Sequence, residues 1–166
     1  PTVILANSIK GGDGDDILDG GSGDDTLDGG SGNNTVRFSG STAATVDLSG
    51  STGLDIGGDI RAISTGGANA SISLTASNAA GTGVTQDSAS IIAAHGGTAN
   101  VGVDGSAFAL DGTLQVQATG NASLSVRGGS GSVHDFQVES TTGGASAQFT
   151  TTSGALTSTG TGTVNA

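Results

Sequence analysis

Residues 11–37 consist of three consecutive nine-residue blocks, GGDGDDILD, GGSGDDTLD and GGSGNNTVR. Each block has glycine at positions 1, 2 and 4, an acidic or amide residue at position 6 and a branched apolar residue at position 8. The preceding block, residues 2–10, keeps only Asn7 at position 6 and Ile9 at position 8. Three consecutive matches in one register define a repeat, and a repeat of this period predicts a stack of short structural units.

The residue types in each block suit a cation-binding turn. Glycine permits positive φ angles and a tight turn, so several backbone carbonyls can point toward one spot. Asp16, Asp25 and Asn34 occupy position 6 and add a side-chain oxygen to these carbonyls. Carboxylate and carbonyl oxygens are the ligands that Ca²⁺ prefers, so calcium is the expected cofactor. We expect the apolar residue at position 8 to lie on a very short strand and to point inward.

Two blocks are expected to form one coil of a solenoid, so that equivalent turns lie eighteen residues apart. The turns of Asp16 and Asn34 then stack on one edge with an ion between them. The turns of Asn7 and Asp25 stack on the opposite edge. The candidate metal ligands are the position-6 residues together with positions 1 and 3 of the glycine-rich blocks: Asn7, Asp16, Asp25, Asn34, Gly11, Asp13, Gly20, Ser22, Gly29 and Ser31.

The charge of the chain points in the same direction. Four basic residues face fifteen acidic ones, for a net charge of −11, and seven of the aspartates lie within residues 11–28, where no basic residue occurs. This balance repels nucleic acid and attracts cations. Without calcium the acidic segment repels itself and cannot offset its chain entropy, so we expect it to fold only when ions bind. No run of 18 apolar residues occurs, so we expect no membrane insertion.

The nine-residue pattern resembles the RTX (repeats-in-toxin) calcium-binding β-roll. The resemblance covers about residues 2–37. It implies a parallel β-roll with Ca²⁺ in its turns, exported by Gram-negative bacteria through type I secretion and folded outside the cell. Asn7 and Asn34 replace the aspartate of the family pattern, so their edges supply less charge and should bind calcium more weakly. Two good sites are expected.

The chain beyond the repeat has a looser rhythm of short alternating segments, such as ASISLTA at 70–76 and TLQVQA at 113–118. Strict alternation of apolar and small polar residues predicts β-strands. Four similar units, each with two strands around a Gly/Asn turn, begin at residues 60, 91, 114 and 136. The spacing of the unit starts roughly matches the length of one solenoid coil, and small side chains fit the thin core of such a coil.

The sequence therefore predicts an all-β fold. We divide it into an RTX calcium-binding parallel β-roll over residues 1–41 and a Gly/Ala/Ser/Thr-rich β-solenoid over residues 42–166. An antiparallel β-sandwich built from hairpins is the alternative for residues 42–166. The four phenylalanines are expected to fill the core rather than to form a carbohydrate-stacking platform: Phe38, Phe108, Phe136 and Phe149.

Three functions remain open. The composition of residues 42–166 is similar to repeats that flank RTX motifs in S-layer proteins and large adhesins. This favours a calcium-dependent surface-assembly module of a secreted bacterial protein, which self-associates through exposed solenoid ends at the cell surface. A cell-surface polysaccharide is a further candidate partner. The alternatives are the calcium-binding tail of a type I-secreted enzyme or toxin, and a polysaccharide-degrading enzyme. We expect no catalytic residues, since the acids outside the repeat are dispersed.

Overall fold

The computed structural model describes residues 7–14, 16–20, 26–28, 35–40, 44–50, 53–65, 67–76 and 83–166. The described residues form β-strands and no helix. The strands are β1 (Ser8–Lys10), β2 (Ile17–Asp19), β3 (Thr26–Asp28), β4 (Thr35–Gly40), β5 (Ala44–Gly50), β6 (Leu54–Ile56), β7 (Ile60–Ser64), β8 (Ala70–Ala76), β9 (Val84–Gln86), β10 (Ile91–Gly96), β11 (Ala99–Gly105), β12 (Phe108–Ala118), β13 (Ala122–Gly128), β14 (Gly131–Ser140), β15 (Ala145–Thr151), β16 (Leu156–Ser158) and β17 (Gly162–Asn165).

The strands form a parallel β-solenoid of about five turns. A five-stranded sheet has the order β15-β13-β11-β8-β5, and a ten-stranded sheet has the main order β16-β14-β12-β10-β7-β4-β2. In the ten-stranded sheet, β17 lies beside β14, and β9 lies between β6 and β12. Strands β1 and β3 pair separately. Every strand pair in the described ranges is parallel, so the sandwich alternative for residues 42–166 is wrong.

The amino-terminal coils have the predicted eighteen-residue period. Strand β1 pairs with β3 so that Ser8 lies beside Thr26, and β2 pairs with β4 so that Ile17 lies beside Thr35. Strand β4 then pairs with β7. One sheet therefore runs from the repeat into the solenoid, across the predicted domain boundary between residues 41 and 42. That boundary stays a prediction.

The later coils are longer and carry one more strand segment than the sequence units predict. The unit starts were placed correctly to within one residue, because Ile60, Ile92, Leu114 and Phe136 lie in register on four neighbouring strands. The additional segment comprises β6, β9, β16 and the first residues of β12 and β14. These runs are three residues long in β6, β9 and β16, too short for alternation to reveal them.

The core consists of ladders in which each inward residue lies over a similar residue of the previous coil. On the five-stranded sheet one ladder contains only alanine, and its neighbour contains larger aliphatic residues. These positions are almost completely buried: Ala44, Ala70, Ala99 and Ala122 in the first ladder, and Val46, Ile72, Val101 and Leu124 in the second. The small residues keep the coil thin, which explains how the chain builds a core without tryptophan or tyrosine.

Phenylalanine fills the core where the facing coil lacks a side chain. Phe108 is 2% exposed, and a Cβ atom on Gly131 of the next coil would lie 2.3 Å from its ring. Phe136 and Phe149 are partly buried against the core, with ring centroids 4.9 Å apart. The predicted core role is therefore confirmed for Phe108, Phe136 and Phe149, whereas the side chain of Phe38 lies outside the described part.

Corner side chains connect each coil to the following one. Asp59 Oδ1 accepts a hydrogen bond from the Ile91 backbone N–H at 2.8 Å, and its Oδ2 accepts one from Arg61 at 3.0 Å. Asp135 Oδ1 accepts from both the backbone N–H of Thr161 at 2.8 Å and the Thr161 hydroxyl at 3.1 Å. These bonds satisfy backbone donors at corners, where strand pairing is interrupted.

We predict that Leu114→Ala lowers the free energy of unfolding by about 2–5 kcal/mol, because it removes a fully buried side chain from an inward ladder. Gln115→Ala is the matched control, since residue 115 is half-buried on the outer side of the same strand. Urea denaturation followed by circular dichroism measures both variants. Equal losses would contradict the assignment of inward and outward faces.

A second prediction concerns the contact between Asp135 and Thr161 at acidic pH. The hydrogen bond from the Thr161 backbone N–H, aided by the Thr161 hydroxyl and His134, holds the pKa of Asp135 below its usual range. A carboxylate with a lowered folded-state pKa stabilises the fold above its unfolded value, near 3.9, and loses that contribution as the pH falls through the folded value. Amide exchange at Thr161 should therefore accelerate below about pH 4 beyond its intrinsic change.

In Asp135→Ala this amide should exchange rapidly at neutral pH as well. Asp111→Ala serves as its control, because Asp111 is also exposed but has no hydrogen bond or ion pair in the described part of the chain. Slow exchange at Thr161 in Asp135→Ala would show that the carboxylate does not hold the last coil.

Candidate calcium site

The first glycine-rich turn links β1 to β2 and has the backbone conformation that the repeat predicts. Gly12 and Gly14 have φ angles of +105° and +118°, in the region that L-residues with a side chain rarely adopt. A Cβ atom at either position would meet no atom within 4 Å. The requirement for glycine is therefore conformational, and it bends the chain so that successive carbonyls can face one side.

Asp16 ends this turn directly before β2. Its side chain is half-buried, and its Oδ2 atom is shielded from solvent. Two residues later, Leu18 is 3% exposed and belongs to the core, as predicted for position 8. A carboxylate at the end of a glycine-rich turn supplies the hard oxygen that Ca²⁺ prefers, so the position of Asp16 fits a calcium ligand.

Asn7 lies against the turn that begins at Gly20. Its Nδ2 atom donates a hydrogen bond to the Gly20 carbonyl oxygen at 3.2 Å, and Gly20 is buried. The amide thus contacts position 1 of the block with which the sequence pairs it. The expectation of a weaker calcium site at this edge stays a prediction.

The remaining predicted ligands are only partly covered. Gly11 and Asp13 are exposed in the same turn as Asp16. The other predicted ligands lie outside the described residues: Ser22, Asp25, Gly29, Ser31 and Asn34. The structure therefore brings Gly11, Asp13 and Asp16 into one turn, and the pairing of that turn with a second one stays a prediction.

The described ranges offer no rival metal centre. Nowhere in them do three His, Asp or Glu side chains converge.

His95 is half-buried on the outer side of β10. Its burial, together with the charge of Arg61, lowers its pKa. Imidazole at this position is neutral at pH 7 and lines a groove of about 470 Å³ with Gln117 and Glu139. The part of the chain that the structure describes also has no apolar helix of bilayer-spanning length.

Comparison with known families agrees with the geometry of the repeat. Residues 5–36 match a family model described as RTX calcium-binding nonapeptide repeat (4 copies). The match begins within the block at residues 2–10 that precedes the three glycine-rich blocks. RTX nonapeptide repeats bind calcium, so Ca²⁺ is a ligand of this chain. Proteins with these repeats are typically secreted by type I export, which indicates an extracellular location. Searches among curated proteins and solved structures gave no match.

We predict that Asp16→Ala weakens calcium binding by about tenfold or more, because it removes a carboxylate ligand from a site built mainly of neutral carbonyls. Asp19→Ala is the matched control: it removes the same charge three residues away, at an exposed position of β2. Isothermal titration with Ca²⁺ measures both affinities at one ionic strength. Similar losses of calcium affinity in the two variants would show that Asp16 acts only through the general negative charge of the segment.

Proposed function

We propose that this chain, which its RTX repeats and parallel β-solenoid identify as an RTX β-roll protein, is a calcium-dependent structural module of a secreted bacterial protein. In this proposal it carries out no catalysis. It serves at the cell surface as part of an S-layer, an adhesin or a filament, and it assembles with further copies of itself.

The acids outside the repeat support a structural role, because several of them hold neighbouring coils together. Asp55 Oδ1 accepts a hydrogen bond from Thr85 Oγ1 of the next coil at 2.7 Å. Glu139 accepts bonds from Gln117 of the previous coil and from Gln137 on its own strand. With Asp59 and Asp135, four of the eight acids outside the repeat therefore have partners within the solenoid.

The observation that carries the assembly proposal is the last coil. Leu156 and Val164 are 44% and 46% exposed, although they continue inward ladders. Leu156 lies beside Gly131, in the column of the buried Phe108, and Val164 lies beside the buried Val138. These side chains are exposed because no further coil in the described part covers them.

The same coil lacks two of the features that commonly prevent strand addition, charged side chains and proline. Edge strands are commonly protected by charged side chains, proline or bulges. Residues 140–166 contain no charged residue and no proline. The last described coil therefore has an uncharged edge with two unfilled apolar ladders, and in this proposal a parallel coil from a second copy buries both. Repeated addition in one direction gives an open filament or lattice, because such a contact is head-to-tail.

We predict that the 166-residue chain forms filaments or sheets by electron microscopy in millimolar calcium and disperses in chelator. Val164→Lys should block assembly, since it buries a charge at the contact between copies. Gln115→Lys adds the same charge to the outer side of β12, in the middle of the solenoid, and should assemble normally.

Dispersed monomers of the native chain under both conditions would contradict the assembly proposal. That result would favour the other reading of the repeats, as the calcium-binding tail of a secreted enzyme or toxin.

A further inference from the structure

The outer side of the five-stranded sheet is a surface of mostly small polar side chains. Nine of its fifteen outward positions carry a hydroxyl group: Thr45, Ser49, Ser71, Ser73, Thr75, Ser123, Ser125, Ser146 and Thr150. Ser123 donates a hydrogen bond to Asn100. The other eight hydroxyls have no hydrogen bond within the described ranges, so they can donate to or accept from a bound molecule.

Gly102 interrupts this polar surface in the middle of β11. Glycine weakens a strand interior, and it is usually retained where the backbone needs a positive φ or where another group approaches closely. Neither applies within this chain. Gly102 has no positive φ, and the nearest atom to an added Cβ would be the Ile72 carbonyl oxygen at 3.8 Å. The fold could accommodate a side chain here, so the gap is available to a molecule outside the chain.

The gap forms the floor of a depression of about 370 Å³ on the sheet surface. Ser73 and Ser125 flank Gly102 on the two neighbouring strands, in register with it. At the next outward position, Asp104 on β11 lies beside Arg127 on β13. Both charged side chains are exposed, and neither has a hydrogen bond or ion pair in the described part of the chain.

A second depression of about 500 Å³ adjoins the first, because Asp104 and Arg127 line both. Its floor includes Gly105 and Gly128. The two depressions share the charged pair, and we call them together the groove; their combined lining offers more polar contacts than a single small ion needs.

We propose that this groove binds a sugar unit of an extended polysaccharide, with one ring over Gly102. A ring with several hydroxyl groups needs acceptors and donors side by side. The Asp104 carboxylate accepts hydrogen bonds from two hydroxyls, the Arg127 guanidinium donates in a fixed fork, and Ser73 and Ser125 do either. The absent side chain at position 102 lets the ring approach the strand backbone. The adjacent carboxylate disfavours a simple phosphate or sulfate as the ligand.

The choice of a surface glycan rests on the extracellular role proposed above, but the groove does not depend on assembly or on the calcium turns. It is formed mainly by residues on and after β11 and β13, its lining includes none of residues 11–28, and it reaches the last described coil only at Thr152 and Ser153. No aromatic side chain is available for stacking on this face. Binding therefore relies on hydrogen bonds, is weak for one unit, and gains from repeated contacts along a polymer.

The test uses the Val164→Lys chain in a calcium-containing buffer, so that assembly does not interfere. Cellohexaose, xylohexaose and hexagalacturonate are titrated separately while backbone amide signals are followed by NMR. We expect at least one oligosaccharide to shift the amides of Gly102, Ser125 and Arg127. Arg127→Ala and Asp104→Asn should weaken that binding by about tenfold or more. Gly102→Val should abolish it while leaving the amide spectrum elsewhere native.

Gly144→Ala is the matched glycine control, because its added Cβ would meet only Asn121 Oδ1 at 3.9 Å, and it should bind normally. The inference is overturned if none of the three oligosaccharides shifts these amides. It is also overturned if Gly102→Val and Arg127→Ala bind as the parent does, or if inorganic phosphate alone reproduces the shifts. Failure of filament formation with intact glycan binding, or the reverse, separates this inference from the proposed function.

Discussion

Parallel stacking of one coil on the next is the interaction on which the whole molecule depends. Strand β11, for example, hydrogen-bonds to β8 on one side and to β13 on the other. Because side chains alternate along a strand, a slip of one residue would turn every inward ladder toward solvent. Corner groups such as Asp59 oppose such a slip, since each accepts a hydrogen bond from a backbone N–H of the following coil. The inward core ladders and the corner hydrogen bonds therefore both fix the register of the strands.

The two parts of the chain meet this requirement by different means. From β5 onward, nearly continuous aliphatic ladders hold the coils together, and the acids are few and partnered in several cases. In residues 11–28 each nine-residue block supplies one apolar residue at the inward position 8, whereas the formal charge of the segment is −7. We expect bound Ca²⁺ to offset that repulsion and to link turns. Because β4 pairs with β7, the repeat and the solenoid share one sheet.

The sequence was most informative where its period was strict. The nine-residue blocks predicted the eighteen-residue coil, the inward position of Leu18 and the glycine-dependent turn before Asp16. The alternating segments predicted the long strands β8 and β13. The third segment of each coil was missed because runs such as Val84–Gln86 are too short to alternate, and their strand form comes from pairing with neighbours rather than from local preference.

Glycine shows why composition alone could not separate structure from function in this chain. Gly12 and Gly14 are required by their φ angles, and Gly131 is required by the ring of Phe108. Gly102 is required by neither, and it lies where a side chain would cost nothing in packing. All four residues look alike in a sequence that is nearly one-fifth glycine. Only the coordinates distinguish a glycine that the turn needs from one that leaves space between Ser73 and Ser125. That difference is what turns an otherwise uniform hydroxyl surface into a candidate binding groove.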